Sequence, residues 1–236
     1  MDHPAADNGQ HRLELADATL ARYREHIGDV IDFGPAAKMP VLTFANDDDY
    51  YRYVAAYFTE GHYGLSSGMF IQRGLGHFVF PNEEMWRLEP VIAHELFHAT
   101  VAHLPLPAWL NEGLATNAEF RFGNRFEDPR HAGEQLPHHR AWWNDERLQD
   151  FWSGDAFFQA NEGQELSYDL ARRLVVGLSP EWERMKRFIA QANASDAGES
   201  AAHAVFGFSL AVPVEAALGR ALAGPAPANW SALQAG

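Results

Sequence analysis

The chain has 236 residues, of which 47% are hydrophobic and 21% charged, a composition typical of a folded globular protein rather than of a disordered chain or a coiled coil. Its formal charge is −14, from 32 acidic residues against 18 lysines and arginines, so its surface repels nucleic acid and anionic membranes. It contains no cysteine, which excludes disulfides, thiol nucleophiles and cysteine-ligated metal sites. A transition metal would therefore take its ligands from the 12 histidines and the carboxylates.

The first third of the chain predicts an α+β arrangement. Apolar residues between Leu13 and Tyr23 recur at helical spacing, which indicates a short opening helix. Asn46, followed by three aspartates, is typical of the N-cap and first turn of a helix that extends to about Phe58. Three β-prone runs cover residues 40–45, 69–71 and 77–80. The last two flank Gly74-Leu75-Gly76, which favours a hairpin.

From Pro81 onward the pattern is predominantly helical. Pro90 suits the first position of a helix from Val91 to His103, which is apolar on most faces and is therefore expected to be buried. Pro105 and Pro107 end that helix. Further helices are predicted at residues 107–122, 167–178, 181–193 and 209–222, with weaker helical character at 145–152.

These elements predict a single domain over residues 1–236. It has an α+β lobe at about 1–104, a mainly helical lobe at about 105–223 and a frayed tail at 224–236. The start, Met1-Asp2-His3-Pro4, is polar and acidic, unlike a secretory signal, which favours a cytoplasmic location for the chain as written. A periplasmic or secreted chain trimmed of its leader would read the same. The uncharged C-terminal stretches are shorter than the roughly 20 residues of a bilayer span, so no membrane helix is predicted.

The segment His94-Glu95-Leu96-Phe97-His98 carries the strongest chemical signal. Residues four apart lie on one face of a helix, so both imidazoles can bind a single metal ion. Glu95 points to the side and can act on a metal-bound water as general base. The alternative is a buried helix whose two histidines are satisfied by hydrogen bonds, although such a helix must compensate three polar groups.

The third metal ligand distinguishes the zinc families. A metzincin needs a glycine and a histidine where this chain has Val101 and Leu104, so that class is excluded. Glu112 lies fourteen residues after His98, on the helix that follows the proline-rich turn. Two antiparallel helices joined by a short loop can bring this carboxylate against both imidazoles, which gives a His2Glu site with an open position for water.

Together the two motifs resemble the gluzincin branch of zinc metallopeptidases. The heptapeptide at 109–115, Trp-Leu-Asn-Glu-Gly-Leu-Ala, is very similar to the second-helix motif of the aminopeptidase N family and of the smaller peptidase MA-like proteins, and thermolysin-like enzymes are more distantly similar. The peptidase MA-like group fits best. Its element order can be followed from about Val41 to Leu222. The sequence similarity is specific at residues 93–116 and elsewhere is limited to scattered positions such as Tyr63-Gly64.

The resemblance implies a zincin-like fold: a small mixed sheet with helices in the N-terminal lobe, a mainly helical C-terminal lobe, and the active-site helix between them. It implies one zinc ion as cofactor and Glu95 as general base and proton shuttle. The zinc ligands would be His94, His98 and Glu112.

Two further residues are predicted to support the site. Thr116 lies four residues after Glu112 and is placed to accept a hydrogen bond from a ligand histidine, with ordinary helix surface as an equal alternative. The resemblance favours Tyr168 as the donor to the tetrahedral oxyanion, because it follows the helix cap Ser167 in a Ser-Tyr pair found at a similar place in peptidase MA-like proteins. A core tyrosine is the alternative for Tyr168.

Other polar residues compete for these roles. His138, His139 and His203 could also donate to an oxyanion, but adjacent histidines in a polar stretch are more often solvated. In gluzincins an edge strand pairs with extended substrate, and His77-Phe78 is the segment expected to supply it. The aromatic residues between Trp142 and Phe158 could line an apolar cleft, although core packing explains most of them better.

We therefore expect a monomeric zinc-dependent peptidase whose partner is a peptide or protein substrate rather than nucleic acid. An endopeptidase is favoured, because the Gly-x-Met-Glu-Asn segment that holds a free N-terminus in the aminopeptidase N family is missing. One alternative is a zinc-binding regulatory or interaction protein on the same fold that does not turn over. A second is a metal-free domain in which the motif residues form a buried polar network.

Overall fold

The computed structural model describes residues 4–28, 39–58, 66–123, 125, 129–159 and 161–230. Within them the chain is mostly helical and contains a small mixed sheet, so the predicted α+β class is confirmed. The chain divides into two compact units. Unit 1 comprises Met1–His103 and Ala118–Phe126, and unit 2 comprises Leu104–Asn117 and Glu127–Gly236.

Unit 1 contains a three-stranded sheet formed by β1 (Val41–Phe44), β2 (Met69–Ile71) and β3 (His77–Pro81). The strand order is β1-β3-β2, with β1 parallel and β2 antiparallel to β3. The predicted hairpin between β2 and β3 is confirmed, and its turn places Gly74 at a φ of 73°, which favours glycine. The expectation that His77-Phe78 forms an edge strand is wrong, because β3 pairs on both sides and all its residues are buried.

The described part of unit 1 also contains the helices α1 (Pro4–Ile27), α2 (Asp47–Tyr57) and α3 (Met85–Val101). Asn46 caps α2 as predicted, since its side-chain oxygen accepts the backbone N–H of Asp49 at 2.9 Å. Helix α3 begins earlier than expected, because the backbone amides of Arg87 and Leu88 donate to the Glu84 carbonyl and close a first turn before Pro90. Pro90 therefore lies inside the helix rather than at its first position.

The remaining helices are α4 (Ala108–Phe122), α5 (Pro129–Trp142), α6 (Asp145–Ser153), α7 (Glu162–Leu178), α8 (Trp182–Gln191), α9 (Glu199–Phe206) and α10 (Ala211–Leu218). Helix α4 begins in unit 2, and from Ala118 onward it belongs to unit 1. Helix α7 has Asn161 as its N-cap, and the side-chain oxygen of Asn161 accepts the Gly163 backbone N–H. Ser167 is therefore a buried interior residue and not the predicted cap. Among the described residues, no single helix has the length and apolar composition needed to cross a membrane. By those two criteria alone, α9 and α10 pass only as a pair, bent by 87°.

The core of unit 2 is aromatic. Trp109 is fully buried, packs against Trp152 at 5.7 Å between ring centroids and donates its indole N–H to the Ala197 carbonyl at 2.9 Å. The expectation that most aromatic residues of this region serve the core is confirmed for Trp143, Phe151, Trp152 and Phe157, whereas Phe158 is 60% exposed.

The C-terminal segment from Gly224 to Trp230 is held against α6 through Gln149. The Gln149 amide donates to the Gly224 carbonyl, and its oxygen accepts the Ala226 backbone N–H and the Trp230 indole N–H. The segment 224–230 is thus anchored rather than frayed, because one side chain satisfies three of its polar groups. The rest of the expected tail lies outside the described residues.

Helix α4 approaches α7 closely at Gly113. A Cβ at this position would lie 2.6 Å from the Ala171 carbonyl oxygen and 2.9 Å from Val175 Cγ2. Asn117, one turn later, donates from its side-chain amide to the Arg172 carbonyl at 3.2 Å. The absence of a side chain at Gly113 therefore allows the backbone of α7 to contact the backbone of α4.

Gly113→Ala is expected to lower the free energy of unfolding by about 1–3 kcal/mol, because a methyl group would collide with the backbone of α7. Gly177→Ala is the matched control: Gly177 is likewise a helical glycine, in α7, but a Cβ there would meet nothing within 4 Å. This change should be neutral or stabilising by up to about 1 kcal/mol through helix propensity. Urea unfolding of both variants measures the difference, and equal effects would refute the close approach.

A buried polar network links α5 and α7 in unit 2. His139 is fully buried, contrary to the expectation that the adjacent histidines are solvated; His138 is exposed as expected. The Trp143 indole N–H donates to His139 Nδ1 at 2.9 Å, so His139 Nε2 carries the proton that it shares with Asp169 Oδ2 at 2.7 Å. Burial alone would raise the pKa of Asp169, but hydrogen bonds from His139 and Arg173 outweigh it and hold that pKa well below its usual value.

The ionised Asp169 stabilises the fold above the ordinary aspartate pKa of about 3.9, and this contribution is lost as the pH falls through that value toward the lowered one. Asp169→Asn should therefore reduce the free energy of unfolding at pH 7 by about 1–3 kcal/mol. It should also flatten the loss of stability below about pH 4. Glu165→Gln, an exposed change on the same helix, is the control and should keep the wild-type acid dependence in urea titrations. An unchanged acid slope in Asp169→Asn would contradict this assignment.

Candidate metal centre

Helices α3 and α4 bring three of the predicted site residues together. One ring nitrogen each of His94 and His98 and one carboxylate oxygen of Glu112 all lie within 4.8 Å of one another, and the three side chains are half-buried. The imidazole rings are 4.6 Å apart between centroids and inclined by 77°. Two imidazoles and a carboxylate at such distances could hold a single metal ion.

His94 is oriented by a residue that the sequence analysis missed. Its Nδ1 lies 2.6 Å from Oε1 of Glu119, whose side chain is only 12% exposed. A carboxylate accepts rather than donates, so Nδ1 carries the ring proton and Nε2 keeps the lone pair that a metal ligand needs. Arg125 donates to the other oxygen of Glu119 and holds this carboxylate in place. The tautomer of His94 thus leaves Nε2 available to a metal ion.

Thr116 does not take the role predicted for it. Its hydroxyl is buried, and the structure shows no hydrogen-bond partner for it among the described residues. Glu119 lies seven residues after Glu112, two helical turns along the same face, and it makes the contact with His94 that was predicted for Thr116. That spacing was a usable signal in the sequence.

Helix α3 is further held by Tyr23 of α1. The Tyr23 hydroxyl donates to the carbonyl of Ala93, the residue before the first histidine of the motif, and the ring packs edge-on against Phe97 and Phe122. Burial, and secondly the negative charge of Glu119, raise the pKa of Tyr23 far above its usual value, so the phenol stays a neutral donor. Helix α3 is thereby fixed on the side of α1.

Glu95 is buried, with 8% of its surface exposed. Its Oε2 accepts the backbone N–H of Phe70, on strand β2, at 2.6 Å. The carboxylate of the motif is therefore directed at the edge of the sheet, while the two histidines gather with Glu112.

Tyr168 lies on α7, half-buried, with its ring edge-on to Phe157 at 5.3 Å. Because Ser167 is not a cap, the Ser-Tyr pair does not mark the start of the helix as expected. The role of Tyr168 as oxyanion donor stays a prediction. Of the competing donors, His139 is committed to Asp169, and His203 is 57% exposed beside Glu199. The resemblance at Tyr63-Gly64 lies outside the described residues.

Comparisons of this chain with protein-family models, with curated proteins and with solved structures find no match.

Glu119→Gln is expected to weaken Zn²⁺ binding by about 10- to 100-fold, because the amide no longer fixes the His94 tautomer by charge. Thr116→Val is the matched control on the same helix: it replaces a hydroxyl without a described partner by a methyl group and should leave the affinity within about twofold. Competition with a chromogenic chelator measures both dissociation constants. The reverse order of effects would restore Thr116 as the residue that orients the histidine.

Proposed function

We propose that this protein is a zinc-dependent peptidase of the gluzincin type, with the zincin-like fold of the peptidase MA-like group and with endopeptidase activity. The observation that carries the proposal is the gathering of His94, His98 and Glu112, with Glu95 on the same helix as the two imidazoles but directed elsewhere. This separates three ligands from one base, which is the division of roles that hydrolysis requires.

The ligand set favours zinc. Two neutral imidazoles and one carboxylate supply the nitrogen and oxygen donors of a catalytic zinc site, in which three protein ligands leave one position open. A zinc ion held there would lower the pKa of a bound water toward neutrality and polarise a substrate carbonyl. The chain offers no thiolate to close the site, since it has no cysteine.

The side chains of the chain divide the remaining work. Glu95 would take the proton of the attacking water and return it to the leaving amine, for which its carboxylate must be ionised at the start. Glu119 keeps His94 in the tautomer that leaves Nε2 available. The phenol of Tyr168 would donate to the developing oxyanion.

The main alternative is a zinc-binding regulatory or interaction protein on the same fold. It would need the same three ligands but not an ionised carboxylate at position 95. The burial of Glu95 favours the enzyme, because keeping a charged group at 8% exposure costs stability that a purely structural zinc site need not pay.

The wild-type chain is expected to bind one equivalent of Zn²⁺ by elemental analysis and to cleave members of a peptide library. Glu95→Gln should keep the zinc and lose about 10²- to 10⁴-fold in kcat, because it removes the general base. Glu112→Gln should lose zinc and activity together, and His11→Ala, at an exposed histidine outside the site, should change neither.

The outcomes separate the hypotheses. Stoichiometric zinc without cleavage would support the regulatory alternative. The absence of zinc, with no loss of stability on adding chelator, would support the metal-free domain. Equal rates for wild type and Glu95→Gln would refute the mechanism.

A further inference from the structure

At the free edge of strand β2, the backbone N–H of Phe70 points toward helix α3. Phe70 lies opposite Phe78 in the antiparallel β2-β3 pair. The Phe78 N–H points the other way and donates to the Pro40 carbonyl, next to β1, at 2.9 Å. Opposite residues of an antiparallel pair either exchange both hydrogen bonds or neither, so Phe70 and Phe78 form a non-hydrogen-bonded pair. The Phe70 N–H therefore faces away from the sheet.

This outward N–H meets the carboxylate of Glu95. The distance from Phe70 N to Glu95 Oε2 is 2.6 Å, which is within the range of a direct hydrogen bond. A buried carboxylate needs hydrogen-bond donors, and this amide is one of them. A backbone amide is a rigid donor, because the strand and not a rotatable side chain fixes its direction.

We propose that the backbone N–H of Phe70 is the positioning group for the general base: it holds the Glu95 carboxylate in one orientation while the proton is taken from water. The inference rests on the proposed function, since it assigns Glu95 the role of base. Phe70 itself touches no reacting atom and acts only through Glu95.

The ring of Phe70 has a separate, structural role. It packs against the ring of Phe78 at 5.2 Å between centroids. Position 70 thus needs an N–H for the chemistry and an apolar side chain for the sheet. Proline is the substitution that separates the two, because it removes the N–H and because an outward-facing edge position tolerates it.

The first experiment compares Phe70→Pro with Phe70→Ala in the full chain loaded with Zn²⁺. Both variants lose the ring, but only proline loses the donor. Relative to Phe70→Ala, Phe70→Pro should lower kcat by about 10- to 100-fold, the effect of one hydrogen bond to a charged group, with KM within about twofold and with unchanged zinc content. In the Glu95→Gln background the two should have the same residual rate.

The second experiment needs no activity. Amide hydrogen exchange of the chain as purified should show the Phe70 N–H protected, although it lies outside the sheet ladder. Glu95→Ala should lower the protection factor of this amide by at least about tenfold, because it removes the acceptor of the hydrogen bond. The Phe78 N–H is the internal control and should stay protected in both proteins, which reports an intact sheet.

Each result bears on the inference. Equal kcat for Phe70→Pro and Phe70→Ala in an active enzyme, or unchanged Phe70 exchange in Glu95→Ala with Phe78 still protected, would overturn it and leave the peptidase proposal standing. A zinc-loaded wild type that cleaves no peptide would overturn both. If Phe70→Pro fails to fold, the exchange experiment alone decides.

Discussion

Helix α3 carries polar side chains in a largely apolar environment, and the elements around it supply hydrogen-bond partners for them. An unpaired polar group in such surroundings costs several kcal/mol, roughly 2–7 for a neutral one and more for a charge. The helix carries His94 and Glu95 with little exposure, and each meets a defined partner: the carboxylate of Glu119 and the amide of Phe70. Even the Ala93 carbonyl accepts a second bond, from Tyr23. Helix α1, strand β2 and the end of α4 are therefore tied to α3 by polar contacts as well as by packing.

Helix α4 combines chemistry and packing on different faces of one short motif. Glu112 and Glu119 are two turns apart and share the face that meets the histidines. Gly113 lies about a quarter of a turn away and allows the backbone of α7 to approach. Trp109 fills the aromatic core of unit 2. The motif is thus explained residue by residue: a tryptophan that anchors, a glutamate that can ligate and a glycine that makes room.

Local signals were sufficient to predict the strands, the Asn46 cap and the cluster of His94, His98 and Glu112. Each depends on spacing within a few residues or on two helices joined by a short turn. Contacts distant in sequence were not predictable in the same way. The pairing of His94 with Glu119 joins two residues that lie 25 positions apart on different helices. The central position of β3 depends on which strands pair with it.

Other differences come from local signals that the fold overrides. Helix α5 was not predicted, because Gly133 and Pro137 interrupt its sequence and tertiary packing determines its structure. Ser167 has the chemistry of a cap, but its hydroxyl instead bonds the Gly163 carbonyl one turn back inside α7. Asn161 supplies the cap in its place, two residues before Gly163.

The hydrogen-bond partner distinguishes three glutamates that lie on two helices close to the histidines. Glu119 is shared by an imidazole N–H and the guanidinium of Arg125, so its charge is compensated by the protein. Glu95 is held by a neutral amide, which fixes its direction and leaves its charge uncompensated at that contact. Glu112 is the carboxylate that groups with both imidazoles. A carboxylate bound by an imidazole and a guanidinium orients its neighbour, one held by a backbone amide is fixed in direction, and one beside two nitrogen ligands can bind a cation. Identical side chains thus take different roles from their neighbours alone.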